Sequence, residues 1–172
     1  MTLILLVNSP ANTIDFGLNK QTNWYSLNDG VMGGRSIGKL SFEEDVMVFK
    51  GSVSFDNNGG FASVRSRYAN RDLSEFKTVE IRYRSENQSI GYSLENHRAW
   101  WLPVYKAVLP ATDMEWKTIK LDLRDFKEYR IGRKTGRTVG NQQLANVIRT
   151  GFITNDKKEG RFIFEVDYIR FE

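Results

Sequence analysis

A chain of 172 residues has room for one domain with a proper core and is short for two. It contains no cysteine, which excludes disulfides, thiolate metal centres and cysteine nucleophiles together. The formal charge of +4 comes from 25 basic residues against 21 acidic ones, with no Lys/Arg run of the length that marks a nucleic-acid surface or a polybasic membrane patch. Hence no nucleic-acid partner is expected.

Residues 1–12 read separately from residues 13–172. Thr2 to Val7 is apolar but only six residues long, too short to cross a bilayer. It reads as a first or edge strand, or as the remnant of a trimmed leader, and no other stretch approaches transmembrane length. The rest reads as one β-sandwich domain. From Ile37 the apolar residues recur with period two: Leu40 and Phe42, then Met47, Phe49, Val53 and Phe55, with Gly51 expected at a bulge. Asp56 to Gly60 is a turn cluster and Phe61 to Ser66 the next strand. Asp72 to Phe76 reads as one helical turn. Val79, Ile81 and Tyr83 alternate with charged residues, and Ser89 to Glu95 repeats the pattern. Trp100 to Val108 is expected as a strand in which Pro103 demands an edge or a bulge. Trp116 to Leu123 alternates at Ile119, Leu121 and Leu123. Arg124 to Gly140 reads as a long loop and Asn141 to Val147 as a short helix. Gly151 to Thr154 and Phe162 to Phe171 are expected to close the domain as a hairpin. Many short strands with turn chemistry between them predict an all-β fold, a two-sheet antiparallel β-sandwich of jelly-roll type.

One stretch does not fit a strand or a helix. Asn28-Asp29-Gly30-Val31-Met32-Gly33-Gly34-Arg35, with Trp24 before it and Ser36 after, packs three glycines into five positions. Residue chemistry alone leaves two readings open, a glycine-rich connection packed under the Trp or a rigid platform that touches a partner.

The same stretch resembles the signature of the complex I intermediate-associated protein 30 family. Three further segments agree with it in order: Asn57-Asn58-Gly59-Gly60-Phe61-Ala62-Ser63-Val64-Arg65; Glu115-Trp116-Lys117-Thr118 with Asp125-Phe126 after it; and Gly151-Phe152 through Gly160-Arg161-Phe162 to Ile169. The resemblance spans roughly residues 13 to 171. It implies a galactose-binding-domain-like sandwich related to carbohydrate-binding modules. The implied role is non-catalytic, chaperone-like binding of respiratory complex I subunits or assembly intermediates. The family's arginine-glycine-arginine element is stretched here to Arg130-Ile131-Gly132-Arg133. Residues 1–12 hold no basic amphipathic targeting helix, so the chain looks like a bacterial or non-mitochondrial relative, cytoplasmic or membrane-peripheral, or exported if a leader has been trimmed.

Within that reading, Asn28, Asp29, Gly30, Met32, Gly33, Gly34 and Arg35, with Asn58, Gly59, Gly60 and Phe61, would build the platform under Trp24. The alternative is a saccharide-binding module. Tyr92, Trp100, Trp101, Tyr105 and Tyr129 supply flat faces and Arg130, Arg133 and Arg137 planar donors, a combination that suits a sugar ring or a protein patch. In a strand, Trp100 and Trp101 would point to opposite faces, one into the core and one outward.

Enzyme chemistry finds little support. His97, the single histidine, sits in a polar loop, and Asp29, Glu86, Glu95, Asp113 and Glu115 show no spacing that singles out a glycosidase pair. Related sandwiches often hold a structural calcium where first and last strands meet; Asp15 and Asp167 are either its ligands here or two carboxylates that simply face solvent, and the second reading is the more economical. No other cofactor is implied.

Overall fold

The computed structural model describes residues 12–17 and 23–172; the expected strand at residues 2–7 lies outside them. Among the described residues, thirteen strands and one short helix follow in order. They are β1 (Thr13–Asp15), β2 (Trp24–Asn28), β3 (Ile37–Glu43), β4 (Val46–Val53), β5 (Ala62–Ser66), β6 (Thr78–Glu86), β7 (Ile90–Glu95), β8 (Val104–Leu109), β9 (Lys117–Asp122), β10 (Lys127–Arg130), β11 (Arg133–Thr138), α1 (Asn141–Leu144), β12 (Arg149–Thr154) and β13 (Gly160–Phe171). They form two antiparallel sheets. The six-stranded sheet runs β3-β4-β13-β6-β9 with β1 also on β13, and the seven-stranded sheet runs β11-β10-β8-β7-β12-β5-β2. This is the predicted sandwich.

Period-two patterning explains the layers. On β6, Val79, Ile81 and Tyr83 are buried between the sheets while Glu80, Arg82 and Arg84 face outward. On β7, Ile90, Tyr92 and Leu94 fill the same core from the other side. The two layers meet through aromatic rings. Phe152 on β12 and Phe164 on β13 lie 4.7 Å apart, and Trp24 stacks on Phe152 at 5.8 Å.

β13 is the spine of its sheet, pairing with β1, β4 and β6. Its inward residues run Phe162, Phe164, Val166 and then Ile169, Phe171. The skipped step is a bulge between Val166 and Tyr168 that keeps apolar side chains inward on both sides of it.

Four local expectations are corrected. β12 and β13 are not a hairpin, because each belongs to a different sheet and residues 155–159 cross between them. Alternation shows which face of a strand is apolar, and an arch presents the same pattern as a hairpin. The expected loop at 124–140 holds the β10–β11 hairpin, whose outer strand is exposed along its whole length and so carries no apolar signal. The strand expected from Trp100 begins only at Val104, after Pro103.

Gly51 makes no bulge. It pairs with Gly38 and Phe162 in unbroken register, and a Cβ there would overlap the Ile37 carbonyl oxygen. The obstacle is backbone and cannot swing aside. Gly51→Ala is therefore expected to cost about 3 kcal/mol, the upper end for overpacking, read as a lower midpoint in urea.

Candidate functional site

The glycine-rich stretch is a brace around one buried carboxylate. Asp29 opens a 3-10 turn (Asp29–Met32) at the end of β2, and its side chain is 1% exposed. It accepts hydrogen bonds from the N–H groups of Ser36 at 2.9 Å, Gly60 at 2.7 Å and Phe61 at 3.3 Å. One carboxylate thus pins the 29–36 turn to the 56–61 turn across the sandwich edge. Burial pushes its pKa up, but Ser36 and the Gly60 and Phe61 N–H groups outweigh burial and hold it below the usual 3.8.

The glycines follow from this enclosure. A Cβ on Gly59 would come within 2.6 Å of the Asp29 carboxylate, and one on Gly34 would meet the same group. Gly33 closes the turn at φ +87, where other residues are strained, whereas Gly30 faces open space. Asn28 donates to the Gly38 carbonyl at 3.2 Å, and Phe61 is half-buried. The structure describes the backbone of Met32 and Asn58 but not their side chains. Trp24, expected beside a contact, is buried in the core. The Arg35 side chain reaches into solvent, with a loose pair to Asp56 at 3.8 Å. The geometry thus braces the 29–36 turn against the 56–61 turn through Asp29.

The aromatic candidates separate. Tyr92 and Tyr105 point into the core, 0% and 5% exposed, so neither offers a face to a ligand. The expectation failed because both occupy inward positions of β7 and β8. Tyr105 instead donates to Glu128 at 3.0 Å.

Trp100 and Trp101 are both exposed, 65% and 51%, at the centre of a turn closed by the Leu102 N–H on the Ala99 carbonyl. No strand separates them onto two faces. Their rings meet edge to face at 6.0 Å. The loop is anchored at its base by Asn96, which donates to the Gln143 and Asn146 carbonyls at 2.6 and 2.8 Å. Arg130 donates to the Trp101 carbonyl at 3.2 Å, which ties the tip to the β10–β11 hairpin. That hairpin's turn exposes Ile131, 60%, and Arg133. Trp100 and Arg130 are therefore brought together, at the end of the sandwich opposite the Asp29 brace.

The outer face of the seven-stranded sheet carries residues the sequence did not single out. Across it the register aligns Lys127, Lys106, Ser93, Gly151, Arg65 and Tyr25 in one row. The Arg65 stem lies flat over Gly151, 3.1 Å from where a Cβ would stand. Glu95 is 5% exposed and binds Arg149 at 2.5 Å and Arg65 at 3.4 Å. Arg149 also donates to the Tyr25 hydroxyl at 2.7 Å, and Tyr68 stacks on both Arg149 and Arg98. Charged residues at outward positions were visible in the sequence, but their pairing depends on a register that only the fold supplies.

Asp15 and Asp167 stand where β1 meets β13. The Asp167 carboxylate accepts from Arg82 at 2.5 Å, and Asp15 accepts from the Gly17 N–H at 3.0 Å. Among the described residues, no three His, Cys, Asp or Glu side chains group as a metal centre would need. His97 is exposed. No helix among them is long and apolar enough to cross a membrane.

Residues 14–166 match the model of the complex I intermediate-associated protein 30 family. No curated protein matches the sequence. In fold, the chain is similar to the family 11 carbohydrate-binding module from Clostridium thermocellum, solved with a mixed-linked tetrasaccharide. The TM-score is 0.64 at 15% identity, over 92% of this chain and 94% of that one. The same module of the cellulosomal cellulase Lic26A-Cel5E gives 0.62 at 17%, over 86% of each chain. A family 29 carbohydrate-binding module gives 0.51 at 12%, over 87% of this chain and 79% of that one. At these identities the likeness is one of fold alone.

Proposed function

The chain belongs to the complex I intermediate-associated protein 30 family, and on that premise we propose that it is a non-catalytic binding module for subunits or assembly intermediates of a respiratory NADH:ubiquinone oxidoreductase. One observation carries the choice of surface: two adjacent tryptophans stand exposed on a turn that is anchored at its base and braced by Arg130. Trp and Arg dominate the energetics of protein interfaces, because rigid rings bury large areas at little conformational cost. A pre-ordered tip avoids part of the ordering entropy on association. Arg130, which donates to the Trp101 carbonyl, supplies a polar group beside the rings of the kind found in an interface rim.

The saccharide reading draws on the fold likeness to carbohydrate-binding modules. Tyr92 and Tyr105, two of the aromatic faces it relies on, are buried.

Trp100→Ala/Trp101→Ala tests the assignment. The rings lie outside the core, so stability should stay within about 0.5 kcal/mol of wild type. Truncating two anchors should cost about 2–4 kcal/mol of binding, enough to abolish capture of complex I subunits from membranes of the native organism. Undiminished capture by a folded double variant would remove the tip from the interface.

A further inference from the structure

Lys106 leaves the middle of β8 and lies across Gly91, its Cδ 3.3 Å from where a Cβ would stand. Its ammonium sits 4.1 Å from the Tyr129 ring centroid and donates to the Asn155 side-chain Oδ1 at 3.4 Å. Lys134, on the edge strand β11, places a second ammonium 5.9 Å from the same ring. Lys127 faces Lys106 directly across the β8–β10 ladder. Lys157 is exposed two residues after the Asn155 that accepts from Lys106, which adds a fourth cation to the group, and burial with the Lys134 and Lys157 charges lowers the Lys106 pKa.

Among the described residues, no carboxylate lies within 4.0 Å of any of these four ammonium groups. The opposite sheet behaves differently. There Arg82 pairs with Asp167 and Arg84 with Glu165, at 2.5 and 2.6 Å, and both guanidiniums stack on Trp116. Lys120 and Arg170 likewise find Glu172 and Glu80. The lysine cluster is left with mutual repulsion that an anion would relieve.

The chemistry of that anion is narrowed by Tyr129. Lys106 and Lys134 both lie against its ring, so a sugar or a base stacking there would compete with two ammonium groups. What remains is charge laid along strands, and it continues into the tryptophan tip, since Tyr129 precedes the Arg130 that holds Trp101. We propose that Lys106, Lys127, Lys134 and Lys157 form the docking site for an acidic peptide segment of the protein partner. This inference rests on the reading of the tip as a protein contact, and it adds the chemistry of what lies beside it.

The test uses fluorescein-labelled hexaglutamate and fluorescence anisotropy at low salt. Wild type should bind it, and affinity should fall as salt rises. Lys134→Glu/Lys157→Glu, at exposed positions and with an unchanged melting curve, should lose affinity by at least about tenfold. Trp100→Ala/Trp101→Ala should keep its hexaglutamate affinity within about twofold, since the tip and the lysines bind different groups. Failure of wild type to bind, or equal binding by the lysine variant, would overturn the proposal. Tighter, lysine-dependent binding of a heparin hexasaccharide or of phosphatidylglycerol vesicles would also overturn it, in favour of a sulfated sugar or a lipid surface. Capture of complex I subunits is the separate readout. If capture survives in the lysine variant, the acidic-segment inference fails while the tip assignment stands. If it survives only in the tryptophan variant, the tip assignment fails instead.

Discussion

Asp29→Ala should destabilise the protein by about 3–5 kcal/mol, because it leaves the Ser36, Gly60 and Phe61 N–H groups without their acceptor. Set against the usual total of roughly 5–15 kcal/mol, that is a large share, and it should lower the melting temperature by about 10 °C. Asp29→Asn keeps the shape but turns an amide toward N–H donors, so it should recover only part of the loss.

Acid provides a second signature. The Asp29 pKa is depressed in the folded state, so its contribution is fully present above the ordinary value of 3.8 and is lost as pH falls through the lower folded value. The stability gap between wild type and Asp29→Asn should therefore narrow on acidification below about pH 3.8. A gap that stays constant in urea titrations across that range would show that the carboxylate's charge does not matter to the brace.

Glu95→Gln is the second large effect. Glu95 is the shared counter-charge of Arg149 and Arg65, and the Glu95 and Arg149 side chains are 6% and 7% exposed. Removing the charge strands a buried guanidinium, which should cost about 3–5 kcal/mol. Glu95→Leu/Arg149→Leu should recover most of this, since a buried pair replaced by apolar groups of similar volume is nearly neutral, and the half-buried Arg65 can turn toward water. Equal destabilisation by the single and double variants would mean that geometry, and not uncompensated charge, sets the cost.

Both predictions concern residues whose type was readable in the sequence and whose role was not. Asp29 stood out among glycines, but the N–H groups it receives from Gly60 and Phe61 are 31 and 32 positions away. Glu95 and Arg149 are 54 positions apart and meet only through the β7–β12 register. Local alternation was enough to find β6 and β7, where Val79, Ile81 and Tyr83 or Ile90, Tyr92 and Leu94 mark a core face. It failed at β11, where no side chain is buried, and at 155–159, where the chain changes sheets. The same logic misplaced Tyr92 and Tyr105. An aromatic at an inward strand position fills the core, and only its phase along the strand distinguishes it from a binding face. Trp100 and Trp101 escaped because Pro103 delays the strand.

On the proposed function, the tryptophan tip contacts the partner while the Asp29 brace only holds the fold. Phe55, beside Gly60 at the brace and 44% exposed, gives the matching control position. A photoreactive phenylalanine analogue at Trp101 or at Phe55 separates the two in one cross-linking measurement. Cross-links to complex I subunits from position 101 and none from position 55 are the predicted result. Cross-links from position 55 alone would contradict the account and return the glycine-rich stretch to the role of contact surface.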